Sequence, residues 1–171
     1  MERRLSEPRP EYLVLGLLKP GPDHGYRLYQ TFERHLGTVW HLSQPQFYAT
    51  LKRLAAKGWI AESPRAETSG RQNYALTEAG EQRFMQWLAS DCVSSARVIR
   101  LEFISRLFFA DFLGAPPSGQ LVRSQIIAVQ NEIIKHHGLL SRLPPSDKYN
   151  AMSLDFRLSQ LTALQNWLGS L

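Results

Sequence analysis

A single cysteine, Cys92, stands in this chain of 171 residues. One thiol rules out a disulfide within the chain and any cysteine-rich zinc site, and it suits a reducing compartment. No apolar run approaches the roughly 18 residues that a membrane helix needs, and the opening MERRLSEPRP has no hydrophobic stretch of signal-peptide length. A soluble, cytoplasmic protein that does not engage membranes is therefore expected. Also missing are a Ser, His and Asp arrangement, a glycine-rich phosphate loop and a pair of catalytic acids, so an enzyme is not expected and no cofactor is implied. His136 and His137 are neighbours. On a helix their side chains diverge by about 100° and find no ligand one turn away, which argues against a metal site.

Charge is also sparse, at 20% of residues, whereas 43% are hydrophobic and eight Phe, six Tyr and four Trp are present. Such a chain is too apolar to remain disordered and long enough to bury a core. The net charge of +5 is small, and its location matters more than its size. Twelve Lys and Arg stand against nine Asp and Glu in residues 1–90, and eight against six in 91–171. Within 41–71, however, Lys52, Arg53, Lys57, Arg65 and Arg71 face only Glu62 and Glu67. This segment is the first candidate for an anion-binding surface.

Pro and Gly punctuation divides the chain at Pro20-Gly21-Pro22, Ser69-Gly70, Gly114 to Pro117 and Pro144-Pro145. EYLVLGLL at 11–18 reads as a short buried helix. A second helix, capped by Asp23, follows with Leu28, Phe32 and Leu36 at steps of four. A third starts at Ser43, where Ser43 and Gln46 have capping-box spacing and Pro45 sits in the first turn, and stops at Gly58. Strands around 59–63 and 72–76 flank a polar turn, and Thr77 caps a fourth helix. The remainder reads as helices over 96–112, 119–141 and 150–170. Val122, Ile126, Val129, Ile133 and Leu140 form one stripe, Ile127 and Ile134 a second, and Leu154, Leu158, Leu161, Leu164 and Leu168 a third. Such stripes are mostly core, and the second stripe on one helix points to a partner. The expected fold is mainly α with a small β-hairpin wing: a winged helix-turn-helix domain at 1–90, then an α-helical dimerisation domain at 91–171.

On a helical wheel, Leu51, Leu54 and Gly58 fall within about 40° of Phe47. The opposite arc has Pro45, Ala49 and Ala56 at its centre, Tyr48 and Lys52 on one flank, and Gln46 and Arg53 on the other. Small residues on the outer ridge allow close approach to a surface, while the flanking groups reach phosphates and base edges, as in a helix lying in the DNA major groove. Gln46 suits an adenine edge and Ala49 a thymine methyl; Tyr48, Lys52 and Arg53 suit phosphates. A solvated helix face fits this pattern equally well. The hairpin tip Ser69-Gly70-Arg71 tips the balance, because a basic turn after a helical hairpin is the order of a winged helix, with Arg71 as its minor-groove or phosphate contact.

The segments YLVLGLL, HGYRLYQTFE, LSQPQFYATLKRLAAKGWI and GRQNYALTEAGEQRF resemble, in order and spacing, the winged helix of the PadR-like transcriptional regulators. Residues 97–140 are similar to the helical domain that often follows it. The resemblance implies a homodimeric repressor acting on double-stranded DNA. It also implies that Tyr48 touches the DNA backbone with Lys52 and Arg71 near phosphates, and that the C-terminal helices and the first helix build the dimer. Leu15, Val122, Ile126, Val129, Ile133, Leu158 and Leu161 are the residues expected at that interface. Gln44 and Gln46 replace smaller residues usual before the tyrosine, which bears on base preference and places Gln44 in the DNA-binding set. Trp59 stands where Leu is usual, a matter of packing.

The abundance of Trp and Phe is ordinary for a core, and it also allows a pocket for a small aromatic effector, as the resemblance allows for some relatives. His24-Gly25-Tyr26 is read as structural. Cys92 is read as an inert thiol, with only Arg97 nearby to lower its pKa. The competing reading of the whole chain is a winged-helix module that binds protein rather than DNA.

Overall fold

Helix α1, Glu11–Leu18, survives at only eight residues because Tyr12 to Leu18 are all buried. So short a helix is marginal alone and is held by packing on every side. In this computed structural model, which describes residues 9–63, 73–90, 92, 95 and 98–171, α1 is the axle of the first half. A Cβ added at Gly16 would lie 2.4 Å from the Phe109 ring, so glycine is what lets that ring close on the helix.

Strand β1, Asp23–His24, leads into α2, Gly25–Trp40. The cap of α2 is His24, not Asp23: His24 Nδ1 accepts the Arg27 N–H at 3.1 Å, and Asp23 Oδ1 accepts the His24 N–H at 2.8 Å. The extended backbone runs one residue further than expected because both residues pair with β3, Asn73–Leu76, as Asp23↔Tyr74 and His24↔Asn73. Two residues are too few to show alternation in the sequence. Leu28, Phe32, Leu36 and Trp40 point inward.

A left-handed His41 turns the chain into α3, Gln44–Ala56, where Ser43 and Gln46 form the expected capping box. Strand β2, Ile60–Ser63, runs antiparallel to β3 in the register Ile60↔Leu76, which gives the sheet order β1-β3-β2. The turn between β2 and β3 lies outside the described residues. Thr77 caps α4, Glu78–Leu88, by accepting the Gly80 N–H at 3.1 Å. Its hydroxyl also donates to Gly58 O and Trp59 O. Gly80 has no alternative, since a Cβ there would sit 2.0 Å from Trp59 O.

The expected helix over 96–112 is divided. A π-helical turn, Ile99–Phe103, runs into α5, Ile104–Leu113, and α6, Ser118–Leu140, and α7, Lys148–Leu168, follow. No periodicity in the sequence marks the widened turn. Two apolar cores result. The first gathers α1 to α4 around Phe32, Phe47, Phe84 and Phe109, and the second gathers Ile99, Phe103, Ala110, Val129 and Leu161 between α5, α6 and α7. Helix α5 serves both cores, with Phe109 in one and Ala110 in the other. Mainly helical architecture with a small sheet is thus the observed fold class. No helix among the described residues is long and apolar enough to cross a membrane.

Candidate nucleic-acid interface

Phe47, Thr50, Leu51 and Leu54 are the buried side of α3. Phe47 anchors it against α2, with ring centroids 5.4 Å from Phe32 and 5.6 Å from Tyr29. Gln44, Pro45, Gln46, Ala49, Lys52, Arg53 and Ala56 are left exposed, while Gly58 turns out rather than in, at φ +68°. Tyr48 is half-buried because its ring lies against Gly25, where an added Cβ would come within 3.0 Å of Tyr48 Cε1. Gly25 is therefore the partner that sets the angle of Tyr48, a role its place in His24-Gly25-Tyr26 does not announce.

The two flanks of α3 carry one cation each but hold it differently. Lys52 is exposed and has no ion-pair partner among the described residues. Arg53 is drawn toward α1: its Nη2 donates to Thr50 Oγ1 at 3.0 Å and lies 3.9 Å from Glu11 Oε1, a carboxylate it shares with Lys57. Gln46 is occupied as well, since its Oε1 accepts from Ser43 N at 2.9 Å and Ser43 Oγ at 3.0 Å. Reading adenine with both amide atoms would mean giving up this cap, which leaves Nε2 as the base-directed donor. Trp59 carries cations on its ring, with Lys57 Nζ 4.7 Å and Arg83 Cζ 5.6 Å from the centroid. Beside Tyr48, burial first and the charge of Glu62 second push the Tyr74 phenol up, so it remains a protonated donor. Arg71, the expected wing contact, lies outside the described residues, as do Arg65 and Arg97.

The expected interface residues all have places within the chain. Leu15 is fully buried in the first core; Val122, Ile126, Val129, Ile133 and Leu161 belong to the second, and Leu158 is buried. Open to solvent instead are Ile127 and Ile134 on the second stripe of α6, with Tyr149, Met152 and Phe156 along α7.

Polar contacts unforeseen from the sequence tie the two halves together. Trp40 Nε1 donates to Ser105 Oγ at 2.7 Å, and the hydroxyl donates onward to Leu101 O. Glu102 accepts the Arg9 backbone N–H at 2.8 Å and the Trp87 indole N–H. Burial raises the Glu102 carboxyl above the usual range, against the pull of those donors and of the Arg9 and Arg106 charges. Nearby, the buried Arg106 donates its Nε to Leu88 O at 3.1 Å and lines a cavity of about 510 Å³ with Cys92, Ser124, Ile127, Ala128 and Asn131. His136 is engaged locally, Nδ1 to Glu132 O at 2.8 Å.

Residues 14–86 match the transcriptional regulator PadR-like family. The Negative transcriptional regulator PadR of Bacillus subtilis (strain 168) is 26% identical over 138 residues, which are 80% of this chain and 75% of the relative. Bacillus subtilis PadR in complex with operator DNA aligns at 23% identity over 94% of both chains, with a TM-score of 0.46. Its complex with p-coumaric acid aligns at 24% identity over 94% of this chain and 95% of that one, with a TM-score of 0.45.

Proposed function

The chain carries a transcriptional regulator PadR-like domain, and on that premise we propose that it is a homodimeric repressor that places α3 and the wing on an inverted-repeat operator. The observation that carries this reading is the outer surface of α3. Its ridge is Pro45, Ala49 and Ala56, all small and exposed, with Tyr48 and Lys52 along one edge. Such a ridge lets the helix settle into the major groove, while Lys52 and the Tyr48 phenol meet phosphates and Ala49 meets a thymine methyl. Gln44 and the Nε2 of Gln46 are the remaining donors at the N-terminal end, the end that reads bases in helix-turn-helix proteins. Arg71 is assigned to the wing's backbone contact, and Arg53 is an auxiliary cation held back by Glu11.

A second copy would cover the apolar side chains of α6 and α7. Ile127, Ile134, Tyr149, Met152 and Phe156 are 57–81% exposed, and exposed apolar patches mark association. Two α3 helices related by a twofold axis would then address half-sites centred roughly 34 Å apart. The cavity beside Arg106 is the place assigned to a small aromatic effector, whose acid group would lie near the guanidinium and whose ring would lie against Ile127 and Ala128. Such a ligand relieves repression if it prefers the dimer that cannot bind DNA.

Selection of bound duplexes from a random pool tests the central claim. The expected result is a palindromic motif with half-sites about one helical turn apart. An enriched motif without symmetry would remove the dimer from the reading, and no enrichment would remove DNA binding itself.

A further inference from the structure

We propose that the cavity beside Arg106 takes up an anion and a proton together, the anion at the guanidinium and the proton on Glu102. The inference rests on the effector reading given above and deepens it. Arg106 is 5% exposed, and it is the one charged side chain among the described residues that line the cavity. Around it stand the amides of Gln120 and Asn131 and the hydroxyls of Ser90 and Ser124. A wall with one buried cation, neutral hydrogen-bonding groups and no carboxylate among the described residues suits a monoanion.

Glu102 precedes Arg106 by one turn, in the π-helical segment that runs into α5. Its two oxygens are engaged, one by the Arg9 backbone N–H at 2.8 Å and the other by the Trp87 indole N–H. The charged groups facing it among the described residues are Arg9, ahead of α1, and Arg106, from its own run of helix. Helix α4 presents the uncharged indole, and α1 presents Tyr12, whose ring stacks on that indole at 5.0 Å. Arg106 thus helps to keep Glu102 ionised against the burial that favours its protonated form. An anion seated on the guanidinium cancels that help. The carboxylate becomes harder to maintain, and Glu102 draws a proton from the buffer as the anion binds. By linkage, the anion binds best below the pKa of Glu102 and more weakly as pH rises through it. A protonated oxygen is also the poorer acceptor, so the hold on Trp87 or on Arg9 slackens. This gives a ligand on the C-terminal side a route to α4 and α1.

Benzoate and benzenesulfonate are suitable probes, because the sulfonate stays ionised throughout and any proton gained is then the protein's own. Titration calorimetry in buffers of different ionisation enthalpy counts that proton. At about pH 6 the wild type should take up a measurable fraction of one proton per anion bound. Its affinity should fall roughly fivefold between about pH 5 and about pH 8. Glu102→Gln should bind both anions with no proton uptake and with an affinity that does not vary with pH. The neutral probe benzamide should bring no proton with it in either protein. In the wild type, carbon-13 spectra of the Glu102 carboxyl should show its titration midpoint move to higher pH when benzenesulfonate is present. Anion binding without proton uptake would overturn the coupling and leave the effector cavity in place. Uptake that persists in Glu102→Gln would place the proton elsewhere and overturn the coupling too. If neither anion binds, both readings fail. Should Glu102→Gln not fold, the carboxyl resonance decides, and an unmoved midpoint refutes the proposal.

Discussion

Trp40 and Ser105, 65 residues apart, share a buried hydrogen bond of 2.7 Å from indole N–H to hydroxyl. It joins the last residue of α2 to the second residue of α5, so the end of the first helix of the helix-turn-helix is pinned to the C-terminal helices. Ser105→Ala leaves the indole N–H buried without an acceptor, a loss of roughly 1–3 kcal/mol. Chemical denaturation should show this cost, and Trp40→Phe with Ser105→Ala together should cost less than the sum of the two singles.

Glu102 makes stability depend on pH in a predictable direction. Its carboxyl is raised above the ordinary range chiefly by burial, so the folded protein holds the proton more tightly than the unfolded chain. The resulting stabilisation is complete below the unfolded pKa and is lost as pH rises through the higher folded pKa. Glu102→Gln keeps one acceptor oxygen where the carboxylate offers two, one to Arg9 and one to Trp87, and cannot titrate, so its fixed cost does not vary with pH in this range. The unfolding free energy of the wild type minus that of Glu102→Gln should therefore fall from the ordinary carboxylate pKa upward. A difference that rises with pH would refute the assignment.

Lys52 and Arg53 are neighbours with unequal freedom. Lys52→Ala should remove one phosphate contact and about 0.9 from the salt slope, whereas Arg53→Ala should do less because Glu11 and Thr50 already hold that guanidinium. Glu11→Gln should release Arg53 and Lys57 and tighten DNA binding about two- to threefold, in keeping with the small worth of exposed pairs. Equal effects of Lys52→Ala and Arg53→Ala in a titration of anisotropy would contradict this.

Association has its own measurement. The wild type should sediment at about twice 19.5 kDa, and Ile134→Asp with Phe156→Asp should sediment as a monomer, because both side chains are more than half exposed and take no part in either core. A double variant that stays dimeric would move the interface elsewhere.

The cavity can be closed without touching DNA-facing residues. Ala128→Phe should occupy it, so that a small aromatic acid bound as proposed above raises the melting temperature of the wild type alone. At 100 times Kd the wild-type gain would be about 2.7 kcal/mol. Equal shifts in both proteins would place the ligand outside this cavity.

Much of the fold was legible in residue spacing. The inward sides of α2 and α3, the Ser43 and Gln46 cap and the Thr77 cap follow from local rules, and the structure has them. What could not be read required knowledge of which distant groups meet. β1 is too short for a pattern, and the His24 cap depends on β1 pairing with β3. Gln46 fits both a cap and a base reader by spacing; in the fold its Oε1 is committed to Ser43. Arg53 looked equivalent to Lys52 because Glu11, 42 positions earlier in the chain, is invisible to a helical wheel. Likewise Val129 and Leu161 look like partner-facing leucine-type positions until their mutual packing fills that role.

Helix α5 limits how this protein can be taken apart. Phe109 fills the space over Gly16 and meets Phe84 edge-on at 5.3 Å, although it comes after residue 90, where composition alone would end the winged helix. A fragment cut there would open a hole over α1 and present Phe84 and Trp87 to water. The smallest piece able to be transplanted onto another protein, or inherited as a unit by recombination, therefore ends near Leu113, and any such chimera carries the first layer of the second core with it.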